Sequence, residues 1–356
     1  MKIAFAMACM QGGGAERVVS ELANRFDEYG CNVSIVMTKS AGSVYSLHKR
    51  IRQIDLSKDD RGILSRVKAL RRCIKENQFD VVISFLTNSN IETLMASFML
   101  KTPVIISERN NPFVDPKGRI YRILRAMTYP MAEGYVFQTP DAQAFFSKGI
   151  QKKSLVIMNP INPELPEAYV GEREKRIVNV GRLVTQKNQK MFIDAFCEFY
   201  TAHPDYIAEI YGDGSMEQEL SAYIQSKGMQ DKVFLRGFTT DVISKIAKAS
   251  MFVMSSDYEG MSNALIEAVG MGVPCISTDH PIGGARMTIE DGASGFLVPV
   301  GDSHAMAEKM AQIADDEELA NRFSEQGLHL RNTLSIDVIA DTWLQYIEAV
   351  KNRGNK

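Results

Sequence analysis

MFVMSSDYEGMSNALIEAVGM, residues 251–271, reads as a strand, a loop and a helix start in immediate succession. Met251–Ser255 is a short apolar run of strand length, and the polar stretch to Met261 contains Gly260. Ser262 or Asn263 can cap a helix running to about Met271. Glu259 therefore sits in the loop and Glu267 about one and a half turns into the helix. Both reach the space before the helix N-terminus, where unpaired N–H groups and the positive end of the dipole attract phosphate. Carboxylates are poor phosphate ligands, so their partners there would be hydroxyls, as on a ribose or a hexose. A phosphate seat flanked by two such carboxylates suits a sugar nucleotide. A surface helix with two ordinary glutamates would carry the same letters, so the pair must be weighed with the rest of the chain.

The strand–loop–helix unit recurs along the chain. Strands are expected at Lys2–Ala8, Asn32–Met37, Val81–Phe85, Val104–Ser107 and Gly134–Gln138, with helices at Ala15–Tyr29, Leu64–Glu76 and Ile91–Leu100. Met158-Asn-Pro-Ile-Asn-Pro-Glu-Leu-Pro166 then interrupts the pattern with three prolines and marks a linker. The rhythm resumes with strands at Ile177–Val180, Ile207–Tyr211, Val233–Leu235, Met251–Met254, Pro274–Ser277 and Phe296–Val298. Helices are expected at Gln189–Tyr200, Met216–Lys227, Val242–Lys248 and Asn263–Met271, and near His304–Ala314, Glu317–Leu330 and Ile336–Lys351. Such alternation predicts an α/β protein of two doubly wound, Rossmann-like domains, residues 1–165 and 166–334, followed by a C-terminal helix from 335. Ligands of such sheets bind at the carboxyl ends of strands, so the site is expected in a cleft between the domains.

The 356 residues, 45% hydrophobic and 24% charged, have the composition of a globular protein. Five scattered cysteines form no CxxC pair and read as buried thiols of a reducing compartment. Five dispersed histidines give no metal-ligand spacing, so no bound metal is expected. Ile3–Met10 lacks a following cleavage site, and no apolar run approaches membrane-spanning length; the expected location is cytoplasmic. Residues 1–165 hold 23 Lys and Arg against 15 Asp and Glu, a net of +8, leaving 18 and 28, a net of −10, in the remainder. The basic half suggests an anionic partner.

Gly12, Gly13 and Gly14 follow the first strand and open a helix, with Arg17 one turn on. Arg17 stands where a dinucleotide fingerprint needs its last glycine, and Gly-Lys-Ser/Thr is missing, so neither standard phosphate loop applies. A plain tight turn and a ligand loop both remain open. In the second half Gly181-Arg182-Leu183 directly follows a strand, and Lys187 lies a few residues on; together they could hold a diphosphate by charge-assisted contacts, or be solvated cations. Tyr211-Gly212-Asp213-Gly214, Arg236-Gly237-Phe238 and Gly283-Gly284-Ala285-Arg286 repeat the pattern at the same predicted sheet edge.

Together these segments resemble the retaining GT-B glycosyltransferases of family 4, also called group 1. The resemblance runs along nearly the whole chain and is strongest from Ile177 to Val300. It rests on Gly-Gly-Gly-Ala-Glu-Arg (12–17), Gly-Arg-Leu with its later Lys (181–187), Tyr-Gly-Asp-Gly (211–214) and the E-x7-E pair. Ser107-Glu108-Arg109-Asn110 and Phe137-Gln138-Thr139 are similar to the branch that builds lipid-linked oligosaccharides and exopolysaccharides, including bacterial α-GalNAc transferases. The resemblance implies roles. Glu267 would bind the donor ribose, and Glu259 the transferred sugar near its anomeric carbon. Arg182 and Lys187 would neutralise the leaving diphosphate without metal. Gly260, Met261, Ser262 and Asn263 would offer backbone N–H groups to sugar or phosphate, with Gly181, Gly212 and Gly237 also on the donor side. Gly13, Gly14, Arg17, Glu108 and Arg109 would line the acceptor side. Many members carry a histidine where Arg109 stands; arginine cannot act as a general base at neutral pH, so the leaving phosphate would help deprotonate the acceptor.

The implied reaction moves a hexose or N-acetylhexosamine from a nucleoside-diphosphate sugar, UDP-linked for preference, to a lipid-linked or polysaccharide acceptor, with no cofactor and the C-terminal helix returning to the first domain. A sugar-nucleotide epimerase or phosphorylase, and a non-catalytic two-lobed sugar-binding protein, are the competing expectations. Arg119, Arg122 and Arg125 alternate with Ile120, Tyr121, Ile123, Leu124 and Met127 at helical spacing, and Lys49, Arg50, Arg52, Arg61, Arg66, Lys68, Arg71, Arg72 and Lys75 add charge. Such a pattern can lie on the anionic inner face of the plasma membrane, or its apolar side can pack on its own domain. No aromatic stacking pattern accompanies the charge, so nucleic acid is not expected.

Overall fold

Hydrophobic runs too short for helices and flanked by helical stretches build two all-parallel sheets in the computed structural model, which describes residues 1–40 and 42–354. The first sheet contains β1 (Lys2–Met7), β2 (Asn32–Met37), β3 (Arg52–Asp55), β4 (Val81–Phe85), β5 (Val104–Ser107), β6 (Gly134–Phe137) and β7 (Ser154–Val156), ordered β3-β2-β1-β4-β5-β6-β7. The second contains β8 (Glu174–Val180), β9 (Ile207–Tyr211), β10 (Val233–Gly237), β11 (Ala249–Met254), β12 (Cys275–Thr278) and β13 (Phe296–Val298), ordered β10-β9-β8-β11-β12-β13. All eleven strands expected from sequence form, within a few residues. The two that sequence misses, β3 and β7, are edge strands whose Arg-Gln-Ile-Asp and Ser-Leu-Val remain partly exposed, so neither shows a buried apolar run.

The chain divides into two compact units, Met1–Pro160 with the segment from Leu334 onward, and Ile161–Thr333. The first boundary falls at Pro160 rather than at residue 165. The proline-rich segment is packed: Ile161 is buried, and it and Leu165 crowd the space beside Gly270, whose missing Cβ would overlap Ile161. In the first unit, the helix Ile336–Gly354 lies on the sheet. Trp343 stacks on Phe85 with ring centroids 5.7 Å apart, and the Tyr346 hydroxyl accepts a 2.7 Å hydrogen bond from the Tyr135 N–H. Gly134 is needed there, because a Cβ would crowd the Tyr346 hydroxyl and Val350.

In each sheet the order reverses beside the first strand of the unit. β1 lies between β2 and β4, and β8 between β9 and β11. Successive helices leave on opposite faces at such a point, so the loops at the carboxyl ends part and leave a crevice. The loops after β8 and β11 carry Gly181–Lys187 and Glu259–Asn263. The stretch read first in the sequence therefore stands at a topological switch point.

Candidate functional site

In the second unit the two loops at the switch point are tied to each other. Ser255 donates from its hydroxyl to the Lys187 carbonyl at 2.9 Å, and Gln186 donates from Nε2 to the Tyr258 carbonyl at 2.8 Å. The Asp257 N–H donates to the Gln186 carbonyl at 2.9 Å, and Asn188 donates from Nδ2 to Asp257 Oδ1 at 2.7 Å. This lacing sets Lys187 against Glu259 as a mostly buried ion pair, and the Ser256 hydroxyl donates to the same carboxylate oxygen at 3.1 Å. A lysine and a glutamate 72 residues apart in sequence thus share one site.

The helix Asn263–Gly270 begins directly after this pair. Ser262, not Asn263, is the cap; its hydroxyl accepts from the Leu265 N–H at 3.4 Å. Gly260 and Met261 are buried, as is Glu267 on the second turn. The loop lies close because Gly284 has no side chain: a Cβ there would overlap the Gly260 carbonyl oxygen. Gly212 and Gly214 act alike beneath the other loop, where Cβ atoms would overlap the carbonyls of Gly181 and Leu183. The Gly181 N–H donates to Tyr211 (3.0 Å) and the Gly212 N–H to Gly237 (2.8 Å), so these three glycines lie along one sheet edge. Close approach of backbones explains their residue type without any ligand. Arg182 is exposed beside them.

Two basic residues quoted beside those glycines have other work. Arg236 pairs with Glu209 at 2.7 Å, and Arg176 pairs with the same carboxylate at 2.8 Å. Arg286 pairs with Asp279 at 3.0 Å.

His280 is a site residue that sequence reading passed over. It follows β12, is completely buried, and its ring lies against Gly284. Nδ1 is 3.2 Å from the Pro281 carbonyl and so carries the proton; Nε2 has no hydrogen-bond partner among the described residues. Burial pushes its pKa below the ordinary 6.5, with Glu259 pulling it up and Lys187 down, so the ring is neutral at pH 7. Its position at a strand's carboxyl end, shortly before Gly283-Gly284, was the available signal.

In the first unit, Gly12 adopts φ +102°, a conformation that favours glycine, and Gly13 precedes the helix Gly14–Glu28. A Cβ on Gly13 would overlap the Glu16 carboxylate. Arg17 forms an ion pair with Glu21 at 3.4 Å, and both are largely buried. Glu108 and Arg109, after β5, do not present open groups. Glu108 is buried in a polar cluster, where Asn90 donates to it at 3.1 Å, Thr87 donates at 3.1 Å and the Tyr129 hydroxyl donates in a short hydrogen bond. Burial pushes its pKa up to about 7, against the hydrogen bond from Tyr129 and the charge of Arg125. Arg109 is buried over the Phe85 ring at 4.3 Å and donates to Asn159 at 2.7 Å; its Nε and Nη2 have no partner among the described residues. Burial without a carboxylate pushes its pKa down to about 9. The rings of Phe85 and Trp343, distant in sequence, cover Arg109, whereas Glu108 is held inward by its hydrogen bonds from Thr87, Asn90 and Tyr129.

Solved structures share this architecture from end to end. HepE of Anabaena in complex with UDP superposes with a TM-score of 0.83 at 17% identity, over 98% of this chain and all of that one. Sucrose-phosphate synthase of Thermosynechococcus elongatus gives 0.82 at 17% identity, over 98% of each chain. The fold is that of the GT-B glycosyltransferases. The family profile described as "Glycosyl transferases group 1" matches residues 163–329, and that described as "Glycosyltransferase Family 4" matches 12–165. The chain belongs to this glycosyltransferase family, group 1 or family 4. It is 32% identical, over 99% of both chains, to the GalNAc-α-(1→4)-GalNAc-α-(1→3)-diNAcBac-PP-undecaprenol α-1,4-N-acetyl-D-galactosaminyltransferase of Campylobacter jejuni. It is 26% identical to a second enzyme of that organism, the N-acetylgalactosamine-N,N'-diacetylbacillosaminyl-diphospho-undecaprenol 4-α-N-acetylgalactosaminyltransferase, over 97% of this chain and 99% of that one.

Proposed function

We propose that this glycosyltransferase moves a hexose or N-acetylhexosamine, with retention, from a UDP-sugar to a hydroxyl of a lipid-linked oligosaccharide or polysaccharide precursor at the cytoplasmic face of the membrane. The observation that carries the donor side is the Lys187–Glu259 pair at the switch point, directly before the Asn263–Gly270 helix and its buried Glu267. Lys187 and Arg182 would take the diphosphate, the helix start a phosphate or sugar hydroxyl, Glu259 a sugar hydroxyl and Glu267 the ribose. Arrival of the diphosphate would draw the Lys187 ammonium from Glu259 and free that carboxylate for the sugar. The bond from the anomeric carbon to the diphosphate oxygen breaks, the acceptor oxygen bonds to that carbon, and the acceptor proton passes to the leaving diphosphate. No metal is required in this scheme, because cations already neutralise the developing charge. The acceptor class rests on the two Campylobacter relatives, whose names specify undecaprenol-diphosphate-linked sugars.

The test is incubation of the purified protein with a panel of radiolabelled nucleotide sugars and polyprenyl-diphosphate-linked saccharides, with and without EDTA. Transfer to lipid from one UDP-sugar, unaffected by EDTA and with retained configuration by NMR, is expected. Epimerised donor, phosphorolysis, or tight sugar binding with no transfer would overturn the reading.

A further inference from the structure

The helix Arg119–Thr128 in the first unit is assembled inside out. Its apolar residues Ile120, Ile123 and Met127 fall on one face by their spacing of three and four residues. That face is turned to solvent: the three side chains are 72%, 51% and 68% exposed. The opposite side buries Arg125 and Thr128, with Tyr121 and Leu124 half-buried. Arg125 donates to the carbonyls of Pro112 at 3.1 Å and Asp115 at 2.7 Å, and its guanidinium lies 4.9 Å from the centre of the Phe145 ring. The sequence pattern alone allows the apolar side to pack on its own domain; the structure has the helix held by its cation with its hydrophobic side outward.

The exposed face has neighbours of two kinds. Phe98 and Met99 are exposed just past the helix Thr87–Ser97, which packs beside Arg119–Thr128; Phe113 is exposed as well, but its ring lies edge-on to Phe145, the ring that Arg125 covers. Lys117, Arg119 and Arg122 are exposed beside the apolar residues, with no acidic residue between Lys117 and Thr128. Isolated exposed hydrophobic side chains are ordinary, but a grouped set rimmed by one sign of charge marks a binding surface. The cations also choose the occupant. A second copy of the chain would bring like charge against like, whereas an anionic bilayer offers headgroups to the cations and an acyl boundary to the apolar tips.

We infer that this face is the surface by which the protein lies on an anionic lipid bilayer, with Ile120, Ile123 and Met127 entering the headgroup boundary and Lys117, Arg119 and Arg122 contacting lipid phosphates. The contact is interfacial, since no helix among the described residues is long and apolar enough to cross a membrane. Other cations of the basic half serve inside the unit. Arg66 is buried against Glu92 and Asp60, Arg71 donates to the carbonyls of Ala96 and Phe98, and Arg50 pairs with Asp27. The surface is therefore narrower than the charge count of residues 1–165 suggests, and Arg125 does not belong to it.

Flotation of the full chain with phosphatidylglycerol/phosphatidylethanolamine vesicles, and with phosphatidylcholine vesicles, tests this without donor or acceptor, so failed transfer chemistry would not affect the result. The unsubstituted protein floats with the anionic vesicles and less with the neutral ones. Replacing Ile120, Ile123 and Met127 together by Ser, or Arg119 and Arg122 by Glu, reduces the bound fraction by more than about tenfold. Val170→Ser, at an exposed apolar residue of the other unit, leaves it unchanged. Melting followed by Trp343 fluorescence confirms that the variants stay folded. Undiminished flotation of the folded serine or glutamate variants, or equal binding to both vesicle types, would overturn the inference. So would concentration-dependent dimerisation that the serine substitutions abolish, since the occupant would then be a second copy.

Discussion

Glu108→Gln should change how stability depends on pH. The carboxyl is buried among Thr87, Asn90 and Tyr129, and its pKa rises from the ordinary 4.5 to about 7. Between those values the folded protein holds a proton that the unfolded chain has released, so stability falls as pH rises through this window. Below 4.5 both states are protonated and the group costs nothing; above about 7 both are ionised and the whole penalty applies. At 1.36 kcal/mol per pH unit, the interval amounts to about 3 kcal/mol. Glutamine keeps the shape and an acceptor for Tyr129 and Asn90. Its NH2 can donate to the Thr87 hydroxyl, which can turn its own proton to Asp115, 3.0 Å away. The variant should therefore lack this penalty. The measurement is urea unfolding at pH 4.5 and pH 8, followed by the fluorescence of Trp343, the single tryptophan and a residue of the same unit. The stability difference, variant minus parent, should grow by about 3 kcal/mol from the lower pH to the higher. A difference that stays constant across pH would show that Glu108 is ionised in both states and refute the argument.

Two predictions concern the donor site. Glu267→Ala should raise the donor KM by roughly tenfold to a hundredfold with kcat less affected, because a charge-assisted hydrogen bond to a hydroxyl contributes about 1.5–3 kcal/mol; an unchanged KM would remove Glu267 from the ribose site. His280 is held neutral, and protonating it would place a cation beside Lys187 and a rival donor beside Glu259, with Asp279 and its partner Arg286 as the other charges nearby. The donor KM should therefore rise as pH falls below 6.5, in the range where the depressed pKa lies, and His280→Gln should flatten that limb. The same acid limb in the glutamine variant would assign the titration to another group.

Much of the fold was legible because parallel strands covered on both faces must be apolar throughout. Ile3–Met7, Val81–Phe85 and Met251–Met254 advertise themselves as short runs, and the glycines after them mark where the chain must turn. Edge strands β3 and β7 were not legible, since an edge needs no such run. The E-x7-E segment gave its loop, its helix start and the depth of Glu267 directly. Arg125 was misread because a cation in an amphipathic pattern reads as solvated, and only the carbonyls of Pro112 and Asp115 and the ring of Phe145 show that it is held inside.

The sequence by itself determined the two doubly wound units, the family, and the residue types at the carboxyl edge of the second sheet. Those are written in local periodicity and in motifs a few residues long. Only the tertiary structure decided that Lys187 spends its charge on Glu259, that Glu108 and Arg109 turn inward, and that the helix Arg119–Thr128 turns its hydrophobic side outward. Each of these depends on which distant backbone carbonyls, rings and carboxylates a side chain meets. Periodicity tells which residues share a face; the packing of other elements tells which way that face looks.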